Sequence, residues 1–157
     1  MTARPALSVR LCMVAVALSI AGCDVTDPIG DLRVELERNR LQWSQVAPDS
    51  YSYVVQHFCY CGIAGIDVRI TVDGPAVTDR VFEETGDALP EGVAESYPAV
   101  EGLFAFVEDA LDRGAHSIEI TYDPDTGVPL EISVDYRENV IDEEARYAVV
   151  ELPAPVP

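Results

Sequence analysis

The sequence contains no lysine, and its ten basic residues are all arginine. Acidic residues far outnumber them: 28 aspartates and glutamates give a formal net charge of −18 at pH 7. A surface with this charge repels phosphate backbones, which argues against a nucleic-acid-binding protein. It also disfavours attraction to anionic lipid headgroups, and instead suits cations or a basic protein as a partner.

Motifs that would indicate catalysis are scarce as well. We find no Gly-rich phosphate loop and no nucleophile elbow, and only two histidines are present. The segment from Asp123 to Gly127 superficially resembles a calcium loop, but its glycine is fifth rather than sixth and the twelfth position is Val134. A proline-containing turn explains this segment better. The sequence therefore favours a protein that is not an enzyme and needs no cofactor, and leaves its molecular activity open.

The first 23 residues resemble the signal sequence of a bacterial lipoprotein. Arg4 and Arg10 form a short positive region, and the apolar run that follows, residues 11–21, is short for a permanent membrane span. The run ends in Ile20-Ala21-Gly22-Cys23, which resembles a lipobox. We predict cleavage before Cys23 and lipid attachment to its thiol, because two or three acyl chains give stable anchoring. An ordinary cleaved signal or a permanent anchor helix is the alternative.

This interpretation divides the chain into four parts. Residues 1–22 are the signal peptide, 23–30 the lipidated cysteine and a tether, 31–152 a single domain, and 153–157 an extended tail. The mature protein is expected in the bacterial cell envelope, on the periplasmic or extracytoplasmic face of a membrane. Whether that membrane is the inner or the outer one stays open.

The body alternates helical and extended patterns. Apolar residues recur at helical spacing over 31–47 and 100–113, which Pro48 and Gly114 follow. Two-residue alternation predicts strands over 50–60, 67–72, 76–82, 116–122, 129–136 and 147–152. Short turns between strands imply hairpins, so we predict an α+β fold with an antiparallel sheet of about six strands and two amphipathic helices on one face. Residues 83–98 are predicted as a long acidic surface loop, either functional or mobile, and 141–145 as an acidic helical turn.

The predicted core follows from these periodicities. In the first helix Leu32, Leu36 and Trp43 share one face, with Leu41 and Val46 flanking it, and Trp43 is expected to anchor the core. The first strand has bulky residues on both faces and is expected to be central. The second helix has an apolar stripe formed by Val100, Leu103, Phe104, Val107 and Leu111.

Cys59 and Cys61 are the only cysteines after Cys23. Two cysteines in the oxidising envelope tend to pair, so we predict a disulfide between them. Alternate residues of a straight strand are about 6.6 Å apart at Cα, near the limit for a disulfide, so the strand would have to bend there. A free or redox-active pair is a second interpretation, and a zinc or copper site that adds His57 is a third.

Several spaced motifs resemble those of a family of uncharacterised bacterial proteins described as lipoproteins, with a domain of unknown function. The motifs are Trp43, Tyr51-Ser-Tyr53, Cys59-Tyr-Cys61, Gly102-Leu-Phe104, Tyr122-Asp-Pro124, Gly127-Val-Pro129, Asp135-Tyr136 and Asp142-Glu-Glu144. The resemblance runs from about Leu36 to Glu151 and implies an envelope location and a single-domain fold, but no activity or catalytic residues. Ala99, where a threonine helix cap is expected, and Pro75 depart from the pattern.

These patterns predict a lipid-anchored envelope protein whose domain is a non-enzymatic binding or structural module, with a cationic or basic protein as a possible partner. One alternative is a thiol–disulfide redox protein that uses Cys59 and Cys61. The other is a periplasmic metal-binding module that uses His57 together with the same two cysteines.

Overall fold

The computed structural model describes residues 28–59, 62–138 and 144–156. Its elements are, in chain order, α1 (Pro28–Val46), β1 (Ser50–Phe58), β2 (Val68–Asp73), β3 (Ala76–Phe82), α2 (Glu91–Ala94), α3 (Val100–Asp112), β4 (Ser117–Tyr122), β5 (Pro129–Asp135) and β6 (Glu144–Pro155). Within the described ranges, no helix is both long enough and apolar enough to cross a membrane.

The six strands form one antiparallel sheet in the order β3-β2-β1-β6-β5-β4. The predicted α+β fold is therefore confirmed, and β1 lies inside the sheet, as its bulky residues on both faces predicted. The pairing of β1 with β6 joins the two halves of the chain, so the first and last strands lie side by side.

Helices α1 and α3 cover one face of this sheet and run antiparallel to each other. Arg33, near the start of α1, pairs with Asp112 at the end of α3, whereas Trp43, near the end of α1, donates to Glu101 at the start of α3. The start of α1 and the end of α3 therefore lie at the same end of the domain.

The hydrophobic core lies between these helices and the sheet. The predicted stripe of α3 is buried along its whole length, and Trp43 anchors the core with 3% of its surface exposed. Tyr51, Tyr53 and Val55 of β1 face the helices, as the two-residue alternation predicted. Leu41 and Val46 do not flank the buried face closely, because they are 60% and 49% exposed.

The turn between β2 and β3 is a two-residue hairpin, in which Asp73 and Ala76 are register partners. Pro75 restricts the backbone of the residue before it, which conflicts with a plain two-residue turn. Gly74 resolves the conflict with φ +56, because a glycine at positive φ followed by a residue at negative φ suits a type II′ turn.

The last strand differs from its prediction at both ends. β6 begins at Glu144, so Glu144 and Ala145 are extended rather than part of a helical turn, and residues 141–143 lie outside the described residues. At the other end, β6 continues through Pro155, which pairs with Tyr51. Residues 153–155, expected as an extended tail, are therefore part of the sheet.

Residues 83–98 are held more firmly than the predicted surface loop. They contain the short helix α2, and Leu89 and Tyr97 are buried in the core. Three consecutive carbonyl oxygens near the end of the segment accept hydrogen bonds from side chains of the sheet. The three bonds are Tyr147 OH to Ser96 O (3.0 Å), Arg80 Nε to Tyr97 O (2.6 Å) and Tyr53 OH to Pro98 O (2.5 Å).

Candidate functional site

The face of the sheet opposite α1 and α3, here called the open face, bears an ionic cluster across its middle strands. Arg69 of β2 bonds to Glu83 at 2.6 Å and to Glu151 of β6 at 2.7 Å. The Arg69–Glu83 hydrogen bond holds the pKa of the Glu83 carboxyl below its usual value. Val54 lies between Arg69 and Glu151 in the strand register and is only 1% exposed. Ion pairs therefore hold the charged side chains of the open face in place above the buried Val54.

A second arginine on the open face lies farther along β6. The guanidinium of Arg146 lies 4.8 Å from the centre of the Phe58 ring, and a nitrogen of it lies 2.5 Å from a Glu131 oxygen. Among the described residues of this face, carboxylates outnumber the two arginines. Besides Glu83, they belong to Asp79, Glu119, Glu131, Asp135, Glu144 and Glu151. The open face is therefore acidic as a whole, and suits cations rather than phosphates.

His57 is a core residue, on the helix-covered face of β1. Its ring stacks on Tyr147 with centroids 4.3 Å apart, and the edge of Tyr97 lies 5.8 Å away. It is 9% exposed, and its Nδ1 has no hydrogen-bond partner among the described residues. Burial lowers the pKa of His57, which favours the neutral imidazole.

Cys59 directly follows β1, where the chain bends and leaves the strand. Cys61 and Cys23 lie outside the described residues, so the disulfide and the lipidation site stay predictions. No group of three potential metal ligands from His, Cys, Asp and Glu occurs among residues 28–59, 62–138 and 144–156. The metal set of His57, Cys59 and Cys61 contains an undescribed residue and stays a hypothesis.

The segment from Asp123 to Gly127 is a turn that docks on α1. The Asp123 carboxylate accepts hydrogen bonds from the backbone N–H groups of Asp125 (3.2 Å) and Thr126 (2.8 Å). Gly127 has φ +77 and packs against the backbone carbonyl of Asn39. These bonds within the turn occupy one carboxylate oxygen, Oδ1 of Asp123, which a calcium loop would direct at its ion. This favours the structural interpretation.

A polar junction at the margin of the core, around the exposed residue Glu101, was not predicted from the sequence. The Glu101 carboxylate accepts hydrogen bonds from Trp43 Nε1 at 2.7 Å and from the Tyr51 hydroxyl at 3.0 Å. It thereby joins α1, β1 and α3. The only signal in the sequence is an acidic residue in the first turn of a helix, which the helix dipole alone explains.

The two edges of the sheet also differ from each other. Beside β3, Val81 forms an isolated bridge with Ala88, and Leu89 N donates to Arg80 O at 3.0 Å. Beside β4, the strand register contains no further partner within the part of the chain that is described. A shallow cavity of about 160 Å³ opens next to β4, lined by Glu119, Ile120, Thr121, Glu131 and Ser133.

A family model covers nearly all of this architecture. The model of the Family of unknown function (DUF6174) matches residues 35–154. The chain belongs to this family. No curated protein and no solved structure matches the chain. The DUF6174 domain thus extends from the second turn of α1 into the last residues of β6.

The DUF6174 match confirms one part of the resemblance seen in the sequence. A domain of unknown function was expected from about Leu36 to Glu151, and its boundaries agree within a few residues. The bacterial origin, the lipoprotein character and the separate motifs stay predictions. Within the domain, the aromatic motif residues Trp43, Tyr51 and Tyr53 have structural positions, since all three are buried and hydrogen-bonded.

Proposed function

We propose that this chain is a lipid-anchored protein of the bacterial cell envelope, whose DUF6174 domain acts as a binding or structural module rather than as an enzyme. The observation that carries the proposal is the sequence before α1. An apolar run ends in Ile20-Ala21-Gly22-Cys23, and α1 begins at Pro28, only five residues after Cys23. A diacylglycerol on Cys23 would hold the domain directly at the membrane surface.

The short tether has a geometric consequence. Five residues span at most about 18 Å when fully extended. The lipid would therefore hold the start of α1 near the membrane, together with the end of α3 beside it. Cys59 lies at this same end, because β1 starts beside Val100 of α3 and runs toward the other end of that helix. The turns around Asp73 and Asp123 would face away from the membrane.

The binding part of the proposal rests on the surface that remains free. No helix among residues 28–59, 62–138 and 144–156 packs on the open face, and the carboxylates of this face outnumber its arginines. Since the chain as a whole is also strongly acidic, a cationic or basic protein is the partner that this surface suits. By contrast, four aromatic side chains of the core donate hydrogen bonds to other parts of the domain: Trp43, Tyr51, Tyr53 and Tyr147.

The anchor is tested by Cys23→Ala in the full-length precursor, expressed in a bacterium. We expect loss of lipidation and accumulation of an uncleaved precursor, measured by mass spectrometry and by fractionation of membranes. Cys12→Ala is the matched control, since Cys12 lies in the segment that is removed, and this variant should be processed normally. Normal processing and unchanged membrane fractionation of Cys23→Ala would show that the lipoprotein interpretation is wrong.

A thiol–disulfide redox protein is the second candidate, and one structural observation supports the disulfide that it requires. The chain bends at Cys59 directly after β1, so Cys59 and Cys61 need not lie on a straight strand. The reduction potential of the pair separates a structural disulfide from an active one: a value near those of known oxidoreductases, about −270 to −120 mV, indicates redox activity. Two freely alkylated thiols in freshly isolated envelopes would contradict the disulfide, and retained zinc or copper would then favour the metal-binding alternative.

A further inference from the structure

The two outer strands of the sheet are protected to different degrees. The chain that follows β3 folds back along it, where Phe82 N donates to Asp87 O at 2.9 Å and Leu89 N donates to Arg80 O at 3.0 Å. β4 has β5 on one side, and the described chain provides no strand on the other. The outward backbone groups of β4 are thus the ones available to a partner.

β4 has few of the devices that prevent edge-to-edge pairing. Natural edge strands are blocked by proline, charged side chains and above all lysine, inward-pointing charges, bulges or short length, and β4 carries only one charged residue, Glu119. β4 has six residues, Ser-Ile-Glu-Ile-Thr-Tyr, without proline or a basic residue, and its one register shift lies at the last pair. Six residues span about 20 Å, which is the usual length of a strand in a globular protein. β4 can therefore pair along nearly its whole length.

The surroundings of this edge determine which side chains an added strand could have. Glu119 is exposed on the open face and has no ion-pair partner among the described residues, whereas the neighbouring Glu131 is paired with Arg146. The cavity of about 160 Å³ lies between these residues. An added strand would place every second side chain on the open face, beside Glu119. A long basic side chain there would meet an unpaired carboxylate.

We propose that the β4 edge accepts an extended, arginine- or lysine-bearing segment of a partner protein as a seventh strand of the sheet. Main-chain hydrogen bonds would supply affinity, and the carboxylate of Glu119 would select basic side chains. The inference rests on the binding part of the proposed function and does not depend on the lipid anchor. A second copy of this chain is a poorer occupant, because β4 edges pairing with each other would bring two Glu119 side chains and two strongly acidic domains together.

The test uses the full chain in detergent solution and a labelled ten-residue peptide in which arginine alternates with valine or threonine. We expect saturable binding, and slower hydrogen exchange at alternate backbone amides of β4. Glu119→Lys should weaken binding about tenfold or more, because it replaces an attraction by a like-charge contact. Asp79→Lys is the matched control: it makes the same charge change on an exposed residue of the open face, but on β3. This control should retain most of the affinity.

Several outcomes would overturn the proposal. Equal losses in Glu119→Lys and Asp79→Lys would indicate unspecific attraction to an acidic protein. Undiminished binding of a peptide with N-methylated backbone amides would exclude strand pairing, and absence of saturable binding would exclude the site. If the chain self-associates at higher concentration and the backbone amides of β4 then exchange more slowly, the β4 edge binds a second copy of this chain instead. Because the measurement needs no membrane, failure of the Cys23 test leaves its result unaffected.

Discussion

The hydroxyl of Tyr51 in β1 accepts a hydrogen bond at 3.1 Å from the backbone N–H of Val100, the first residue of α3. Ala99 precedes this helix and makes no side-chain cap hydrogen bond. The same hydroxyl donates to Glu101 at 3.0 Å. A strand residue distant in sequence thus takes the role that a serine or threonine before the helix usually has, and fixes the helix to the sheet.

Removal of this hydroxyl should destabilise the domain. In Tyr51→Phe the Val100 N–H loses its acceptor, and Val100 is fully buried. An unpaired buried donor costs about 1–3 kcal/mol, so we expect the free energy of unfolding in urea to fall by that amount. The fluorescence of Trp43, the only tryptophan, should report the change, since its ring lies 5.4 Å from that of Tyr51.

Tyr122→Phe is the matched control for this experiment. The Tyr122 hydroxyl is also buried, but it has no hydrogen-bond partner among the described residues. Its removal takes away an unpaired polar group, so we expect a stability equal to or above that of the parent protein. Similar losses in both variants would mean that ring packing, rather than the bond to Val100, determines the effect at Tyr51.

Gly127 should tolerate substitution less well than another glycine with the same backbone conformation. It has φ +77, and an added Cβ would clash with the carbonyl oxygen of Asn39. Gly86 has φ +74, but nothing lies near its missing Cβ. Gly86→Ala should therefore lower the free energy of unfolding only by the conformational term, which is the cost of the left-handed backbone for alanine, about 1–2 kcal/mol.

For Gly127→Ala we expect a larger loss of unfolding free energy, above about 2 kcal/mol, because steric strain adds to that conformational term. Chemical denaturation of both variants under the same conditions is the measurement. Equal losses would show that α1 and the turn shift apart to accommodate the methyl group.

Local periodicity predicted those helices and strands whose buried face can be recognised in their own sequence. The stripe of α3 and the alternation in β1 and β2 identified the buried faces, because burial on one side imposes a period on a helix or a strand. The positions of Leu103, Val55 and Ile70 in the core can therefore be predicted from the sequence. The register of the neighbouring β2–β3 hairpin follows from its short turn as far as Val72, beyond which a bulge shifts it by one residue.

Contacts between distant segments were not predictable in this way. The pairing of β1 with β6 and the bond from Tyr51 to Val100 depend on tertiary structure, which no local pattern encodes. The last strand was predicted to end at Leu152, but it continues through Pro153 and Pro155. They are tolerated because the register of β5 against β6 stops at Ala148, so the end of β6 has a free side where a missing N–H is harmless.

A buried and an exposed side chain provide a test of the helix faces. Phe104 is 1% exposed on the buried stripe of α3, whereas Leu41 is 60% exposed on α1. Phe104→Ala should lower the unfolding free energy by about 3–5 kcal/mol, because it removes a large buried ring. Leu41→Ala should change it by about 0.5 kcal/mol or less, as is usual at exposed positions. A loss below about 1 kcal/mol in Phe104→Ala would contradict the packing of this helix face.

The buried tyrosines make alkaline pH a specific stress for this domain. Burial raises the pKa of Tyr147 to about 12 and that of Tyr122 to about 12, and the pKa of Tyr53 is raised as well. An exposed tyrosine in the unfolded chain titrates near pH 10. Folding therefore favours the protonated phenols.

The sign of the effect follows from proton linkage. Below about pH 10 both states are protonated and the stability is complete, whereas above it the unfolded state binds fewer protons, so the free energy of unfolding falls between about pH 10 and 12. Urea unfolding across this range is the measurement, with tyrosinate absorbance as an independent record of the titration. Tyr147→Phe should make the slope shallower, because it removes one of the shifted groups, although it also loses the bond to Ser96 and lowers stability at neutral pH. A parent protein that titrates all its tyrosines near pH 10 without unfolding would contradict their burial.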